Sequence, residues 1–167
     1  MSPPPQNYAK HQLPRRLPVL LRHSWYGLNQ AFRRRLAHLR LTPDQFTVLR
    51  NLFEEPGLTQ RELCLRMASD PNTVAALTSR MEEEGWIERA ECKKDRRANR
   101  LRLLPPGKRK FTDANKIAQE LQEAVSSTLL PDERESLLDL LEKLASGCRA
   151  LSLSTQPKSR VGAADDR

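Results

Sequence analysis

The chain has 167 residues, 38% of them hydrophobic and 30% charged, and its formal net charge is +8 with a pI near 9.9. This length fits one domain, or one domain with an appended element. The basic balance favours an acidic partner, with nucleic acid first and an anionic membrane surface second. Since no run of about eighteen apolar residues occurs, we expect no membrane-spanning helix and no membrane partner.

Charge is concentrated in separate blocks of the chain. Residues 1–43 contain eight Lys and Arg and no acidic residue, and residues 89–110 contain ten basic residues against two acidic ones. The balance reverses over residues 112–147, with eight acidic and three basic residues. This distribution predicts a molecule with one basic side that binds the acidic partner and another side that faces away from that partner.

Three cysteines, Cys64, Cys92 and Cys148, share no CxxC spacing. We therefore expect neither a disulfide scaffold nor a zinc site, no cofactor, and a reducing cytoplasm as the location. The first sixteen residues also lack the apolar segment of a secretion signal. Cys64 and Cys148 fall on apolar stripes and are predicted to be buried. Cys92 lies beside Lys93 and Lys94, whose charges favour the thiolate, so it is the candidate redox-sensitive residue, although no resolving cysteine is evident.

The N-terminal region predicts a polar arm followed by a helix. Residues 1–12 are Pro-rich and polar, and we expect them to be disordered. From Leu13 to Leu39 the apolar residues recur with a period of 3.6, which predicts one long amphipathic helix.

Capping sequences open the next three helices. The N-caps are Thr42 in "LTPDQFTVL", Thr59 in "LTQRELCLRM" and Asp70 in "SDPNTVAALTSRMEEEG", and Gly85 ends the last of these helices. Only a few residues separate the second helix of this set from the third, which is the spacing of a helix-turn-helix.

The rest of the chain predicts two strands and two further helices. The runs "WIERAE" and "NRLRLL" have strand character and are joined by a basic loop, so they predict a β-hairpin. A long helix begins at Pro106 and a final helix at Pro131, and residues 151–167 are predicted to be a disordered tail. The expected fold is mainly α with a small β-hairpin wing, that is, a winged helix-turn-helix with long N- and C-terminal helices.

A winged helix places its second helix in a DNA major groove while the hairpin reaches the neighbouring minor groove. In this second helix Val74, Leu77 and Met81 recur at helical spacing and should pack inward. The outer-face residues, which can contact base edges, a thymine methyl group or phosphates, are Asn72, Thr73, Ala76 and Arg80. The alternative is an ordinary helical hairpin with a polar outer face.

The hairpin supplies the second set of DNA-binding candidates. Leu101 and Leu103 should face the core, which leaves Arg100 and Arg102 on the other face. Asp95 lies two residues before Arg97, and its carboxylate can hold that arginine side chain extended toward a narrow minor groove. The remaining candidates of the wing are Lys93, Lys94 and Arg96. The alternative is a solvated hairpin tip.

Residues 41–111 resemble the multiple-antibiotic-resistance regulator (MarR) family of bacterial transcription factors through "LTPDQFTVL", "LTQRELCLRMASDPNTVAALTSRMEEEGWIER", the Asp-x-Arg of "DRR" and "LRLLPPGKRK". The resemblance extends over roughly residues 15–148. It implies a nucleoid-associated homodimer, more often a repressor than an activator, that binds pseudo-palindromic operators. It assigns residues 13–40 and 106–150 to dimerisation and residues 41–105 to DNA binding. Ala76 and Leu104-Pro105 depart from the family pattern, which puts base-specific hydrogen bonding and the cap of the following helix in doubt.

The resemblance also implies release from DNA by a small phenolic, aromatic or amphipathic ligand, in a pocket where the first, second and fifth helices meet. Trp25, Tyr26 and Phe46 are the candidates to line it, and the alternative is that these aromatic residues form the core or the dimer interface. His23 and His38 are expected at the surface, without a metal. The arginine-rich first helix has three open interpretations: solubilising charge, an added phosphate contact, or the lining of an anionic ligand site.

Motifs for catalysis are missing from the sequence. No GxSxG, HExxH, glycine-rich phosphate loop or cluster of Asp and His occurs, so we expect that the protein is not an enzyme. Two alternatives remain for the winged helix itself. It can serve as a nonspecific architectural DNA-binding protein, or as a module that binds other proteins.

Overall fold

The structure is a computed structural model that describes residues 13–91 and 99–154, with side chains over 16–90 and 100–151. In these ranges the chain is mostly helical, with a small antiparallel sheet. The helices are α1 (Leu13–Leu36), α2 (Pro43–Glu54), α3 (Gln60–Met67), α4 (Pro71–Glu83), α5 (Pro105–Ser126) and α6 (Pro131–Ser154), and the strands are β1 (Leu58–Thr59), β2 (Ile87–Glu91) and β3 (Asn99–Leu103). No helix in this part of the chain combines the length and the apolar character needed to cross a membrane.

The predicted first helix is confirmed as α1 followed by a 3-10 turn over Ala37–Leu39. This turn ends at Arg40, which has a φ of 49° in the left-handed region and whose amide donates to the Ala37 carbonyl at 3.0 Å. Side chains of α1 are exposed from residue 16 to residue 28, whereas Leu36 is fully buried. The first helix therefore joins the core only through its C-terminal turns.

Side-chain caps start the next helices, as the sequence predicts. At α2, the Gln45 amide donates to Thr42 Oγ1 at 3.2 Å and the Thr42 amide donates to Gln45 Oε1 at 2.9 Å. Thr59 and Glu62 form the same reciprocal pair at α3. The Thr59 amide and hydroxyl donate to the Glu62 carboxylate at 2.7 and 2.8 Å, and these bonds lower the pKa of Glu62. Each pair satisfies backbone amides that the first helical turn leaves without partners.

The sheet has three strands, not the two of the predicted hairpin. β3 lies between β1 and β2 and is antiparallel to both, with Leu58 opposite Leu101 and Ile87 opposite Leu103. Since β1 has only two residues, its sequence shows no alternation that could reveal a strand. Leu101 is buried and Leu103 half-buried, so the predicted inward face of β3 is confirmed.

Residues up to Gln122 form one unit with a single hydrophobic core. Its fully buried side chains include Leu36, Val48, Leu49, Leu52, Leu63, Val74, Met81 and Ile87. Trp86 follows α4 and is 4% exposed, and its carbonyl accepts a hydrogen bond from the Leu104 amide at 2.9 Å. A Cβ atom at Gly107 would lie 2.2 Å from the same Trp86 carbonyl oxygen. The start of α5 can therefore approach the end of α4 this closely only with glycine at position 107.

Residues from Glu123 onward form a second unit, whose described part is the end of α5 and α6. Arg134 Nη1 lies 3.5 Å from Glu123 Oε1. Helix α6 continues to Ser154, past the predicted end near residue 150, because no proline interrupts it before position 157. The predicted arm over residues 1–12, and residues 155–167 of the predicted tail, lie outside the described residues.

The two cysteines with described side chains differ from each other. Cys64 is 8% exposed, as its apolar stripe predicts. Cys148 is exposed, so the prediction that it is buried is wrong. The physical reason is that its unit consists, where described, of one helix and the end of another, which cannot enclose an apolar stripe.

Candidate nucleic-acid interface

Helix α4 presents a polar face to solvent. Asn72, Thr73, Ala76 and Arg80 are all exposed, as the sequence predicts for an outer face. On the opposite side, Val74 and Met81 are fully buried and Leu77 is half-buried against the core. The helix therefore has the two-sided form that a recognition helix needs, with one face packed and the other open.

The start of α4 is fixed by Asp70. Asp70 Oδ1 accepts a hydrogen bond from the Thr73 amide at 2.9 Å, and Pro71 occupies the first helical position. Hydrogen bonds from the side chain and the backbone of Thr73 lower the pKa of Asp70. The cap therefore orders the first turn of α4, the turn that carries two of the predicted DNA-binding residues.

A polar contact that sequence reasoning missed joins α4 to β2. Thr78 is fully buried, and its hydroxyl donates to the Val74 carbonyl at 2.9 Å. Arg89 Nη2 donates to Thr78 Oγ1 at 3.3 Å and to Ser79 Oγ at 3.2 Å, and Arg89 Nε lies 3.4 Å from Glu82 Oε2. The sequence feature that could have revealed this contact is Thr78 itself, a polar residue four positions after Val74 on the helix face that was expected to be apolar.

The wing is described only in part. Its strands β2 and β3 are present, but Cys92, Lys93, Lys94, Asp95, Arg96 and Arg97 lie outside the described residues. Arg100 is half-buried, and its Nη1 donates to the Gly57 carbonyl at 2.7 Å, while the Gly57 amide donates to the Leu101 carbonyl at 3.0 Å. In this structure the Arg100 guanidinium therefore contacts the turn before β1, and its contact with DNA stays a prediction.

A polar groove of about 420 Å³ runs beside the exposed face of α4. Helix α1 contributes Arg33, the N-terminal turn of α2 contributes Thr42 and Asp44, and α4 contributes Thr73 and Arg80, among others. The groove therefore brings three predicted DNA-binding residues, Thr73, Ala76 and Arg80, together with an arginine of the first helix. Periodicity alone cannot reveal this, because it does not say that α1 and α4 both pack beside α2.

An aromatic cavity of about 350 Å³ lies between α2 and α5. Phe46, Phe53 and Phe111 line it, with ring centroids 6.0 Å apart for Phe46 and Phe111 and 4.4 Å apart for Phe53 and Phe111. Trp25 and Tyr26 are 64% and 59% exposed and are not part of this lining. Of the three predicted pocket residues, the structure therefore places only Phe46 at the cavity, and Phe53 and Phe111 take the places of the other two.

Lys110 connects three parts of the first unit. Its Nζ donates to the Leu39 carbonyl at 2.6 Å, at the end of the 3-10 turn. The same ammonium lies 4.5 Å from the centroid of the Trp86 ring, which is a cation–π contact. Helix α5 is thus joined by one side chain to the segment after α1 and to the segment after α4.

Comparison with known proteins gives a consistent result. The MarR family model matches residues 41–98. The chain is 33% identical over 91 residues to the HTH-type transcriptional regulator BilQ of Clostridium symbiosum (54% of this chain, 63% of BilQ). It is 31% identical over 131 residues to the HTH-type transcriptional regulator TtmR of Methylorubrum extorquens (78% of this chain, 66% of TtmR). The chain thus spans slightly less than two thirds of the length of these two relatives.

A solved structure extends the similarity to most of the fold. The transcriptional repressor CouR, bound to a 23-mer DNA duplex, is similar to this chain with a TM-score of 0.73 and 26% identity, over 84% of this chain and 99% of CouR. The similarity to CouR therefore includes helices outside residues 41–98, the range that the family model matches, as well as the winged helix-turn-helix. The family match, the two regulators and the shared fold agree: the chain carries a MarR family domain over residues 41–98.

Proposed function

We propose that the chain is a sequence-specific DNA-binding transcriptional regulator, acting as a repressor on a pseudo-palindromic operator. The observation that carries this proposal is the exposed face of α4, which displays Asn72, Thr73, Ala76 and Arg80 next to the sheet that leads into the basic wing. The relatives named as transcriptional regulators, and CouR as a repressor on duplex DNA, support the same function. We infer that the protein is not an enzyme and works in the cytoplasm at the nucleoid, where such DNA is found.

Recognition follows from the chemistry of the α4 face. Asn72 and Thr73 can form hydrogen bonds with base edges or phosphates, Ala76 can contact a thymine methyl group, and Arg80 can bind a guanine or a phosphate. The basic wing, with Arg97 as the central residue, would enter the flanking minor groove. Because Ala76 offers no hydrogen bond, we expect DNA shape to contribute more to specificity than base-edge contacts do at that position.

We propose that the protein acts as a homodimer, with residues 13–40 and 106–150 as the dimerisation segments. Large hydrophobic side chains are exposed on α1, with Leu20 at 53% and Trp25 at 64%, and separately on α6, with Leu138 at 61% and Leu140 at 62%. Apolar surface of this extent on one chain is typical of a surface that a second copy covers. A two-fold dimer also matches a palindromic operator, since each subunit then contacts one half-site.

We further propose that a small aromatic or phenolic ligand regulates DNA binding from the cavity between α2 and α5. Phe46, Phe53 and Phe111 give the lining an apolar aromatic surface, and Asn115 and Gln119 offer polar groups in the same lining. A thermal-shift screen of aromatic acids tests this part of the proposal. A ligand that raises the melting temperature of the wild type but not of Phe53→Ala would support it. No stabilisation by any aromatic acid would contradict it.

Selection of bound duplexes from a random pool tests the DNA-binding function. We expect an inverted repeat whose half-sites lie about one helical turn, or roughly 10 base pairs, apart. Bound DNA without a common sequence would favour a nonspecific architectural protein. No retained DNA at moderate salt would favour a winged helix that binds other proteins.

A further inference from the structure

The polar groove beside α4 has a basic contribution from a helix that is not part of the winged helix-turn-helix. Arg33 comes from α1, Arg80 comes from α4, and both line this groove together with the first turn of α2. Both arginines are exposed to solvent. The groove thus brings a residue of the predicted dimerisation helix to the face that carries the predicted DNA-binding residues.

The charges of these two arginines are not neutralised within the described part of the chain. Arg50, Arg66, Arg89 and Arg134 each lie against a carboxylate there. Among the same described residues, Arg33 and Arg80 form no ion pair. Two guanidinium groups that share one groove without carboxylate partners repel each other, and an anion placed between them would relieve this repulsion.

The amino end of α2 adds to the positive potential of the groove. Thr42 is its N-cap and Pro43 its first helical residue, so the partial positive charge of this 12-residue helix lies at the groove. One negative group, the exposed Asp44 carboxylate, also lines the groove and opposes this effect. The balance of two guanidinium groups and a helix amino end against one carboxylate still favours an anion.

We propose that this groove binds a backbone phosphate of the DNA strand that borders α4, with Arg33 and Arg80 as its two cationic contacts. The inference rests on the proposed function and adds to it a phosphate contact from the first helix. A guanidinium group can donate two parallel hydrogen bonds to one phosphate, which fits a contact that positions the protein without reading sequence.

The form of the groove favours a DNA phosphate over a small free ligand. Sites for small molecules bury most of the ligand surface. Here Thr42, Asp44, Thr73, Ala76 and Arg80 are all exposed, so a small anion in the groove would remain largely in water. A DNA strand brings its own rigid backbone, and α4 in the adjacent major groove would hold that strand in place.

The experiment measures binding of the full chain to one fluorescent duplex of about 24 base pairs and mixed sequence, over a range of salt concentrations. No operator is needed because phosphate contacts do not depend on sequence. The variants are Arg33→Ala, the conservative Arg33→Lys, and Arg35→Ala as the matched control. Arg35 is exposed on the same helix but does not line the groove. A fourth variant, Asp44→Asn, removes the opposing charge.

For Arg33→Ala we expect a roughly 3- to 10-fold loss of affinity near 0.15 M salt and a salt slope that is smaller by roughly 0.9 per chain. Arg33→Lys should keep most of the salt slope, because lysine keeps the positive charge. Arg35→Ala should leave both the affinity and the salt slope at their wild-type values. Asp44→Asn should bind the duplex more tightly than the wild type. Equal effects of Arg33→Ala and Arg35→Ala would overturn the inference while leaving the proposed function intact. A wild-type chain that binds no duplex at all would overturn the proposed function and this inference with it.

Discussion

Arg89 Nη2 donates a hydrogen bond to the buried hydroxyl of Thr78 across 3.3 Å, and this contact joins the first strand of the wing to the packed face of α4. The Thr78 hydroxyl itself donates a hydrogen bond to the Val74 carbonyl, so it is satisfied both as donor and as acceptor. Since the same guanidinium also contacts Ser79 and Glu82, one side chain sets the position of β2 relative to α4. The two DNA-contacting elements of the proposed function are thereby coupled.

Removing this contact should cost stability. For Arg89→Ala we expect the free energy of unfolding to fall by about 1–2 kcal/mol, because a buried hydroxyl loses a partner and two further contacts are lost. Urea denaturation at one fixed protein concentration measures the change. Arg102→Ala, at an exposed position on the neighbouring strand β3, is the control and should change stability by less than about 0.5 kcal/mol. Equal losses for the two variants would contradict the role given to Arg89.

Gly107 should tolerate no side chain. An added Cβ would lie 2.2 Å from the Trp86 carbonyl oxygen, so Gly107→Ala must displace backbone, and we expect a loss of about 3 kcal/mol. Gly147→Ala is the matched control, since Gly147 lies inside α6 with no atom within 4 Å of the added Cβ. This second change should stabilise the protein by roughly 0.5–1 kcal/mol through helix propensity. Thermal denaturation of both variants measures these opposite changes in stability. An unchanged melting temperature for Gly107→Ala would refute the close packing inferred at Gly107.

The capping carboxylates should make stability depend on acid pH. The folded state lowers the pKa of Asp70 and of Glu62 below their ordinary values of 3.8 and 4.5. Groups with lowered pKa contribute stability that is present above these values and is lost as the pH falls through the folded-state pKa. Asp70→Asn keeps a good N-cap but cannot titrate, so its stability should fall less steeply with acid than that of the wild type. Denaturation measured between about pH 6 and pH 3 compares them, and parallel curves would count against the Asp70 cap as a titrating contact.

The wing prediction depends on Arg97. We expect Arg97→Ala to weaken binding to the selected operator by roughly 1–3 kcal/mol, the scale of one good groove contact. The neighbouring Arg96→Ala is the control, and its effect should be smaller and independent of DNA sequence. Fluorescence anisotropy at fixed salt measures both. An operator affinity that Arg97→Ala leaves unchanged would refute the assignment of Arg97 to the minor groove.

Much of the fold could be predicted because the sequence features that mark its helices lie within a few residues of one another. Thr42 with Gln45, Thr59 with Glu62, and Asp70 each place a capping side chain within three residues of the amide it binds, so the helix starts can be read directly. The outward position of Arg80 follows in the same way from the 3.6-residue period of α4.

Other features depend on contacts between distant parts of the chain and left no such signal. Leu58 pairs with Leu101 across 43 residues, and this pairing alone turns two residues into the strand β1. Phe53 reaches the aromatic cavity only because α2 packs beside Phe111 of α5. Arg33 reaches the groove only because α1 packs against α2, which in turn packs against α4. Trp25 and Tyr26 are pocket candidates through the family resemblance, and the 3.6-residue period shows only that they lie on α1, not which element covers them.

The central claim is that the exposed face of α4 reads DNA sequence. The most direct measurement repeats the selection from a random duplex pool with the wild type and with the triple variant Asn72→Ala, Thr73→Ala, Arg80→Ala. All three side chains are exposed, so the variant should keep the fold, which its thermal denaturation verifies. We predict an inverted repeat for the wild type and its loss in the variant, with residual binding that falls steeply with salt. Recovery of the same repeat by both proteins, or of no repeat by the wild type, would contradict this claim.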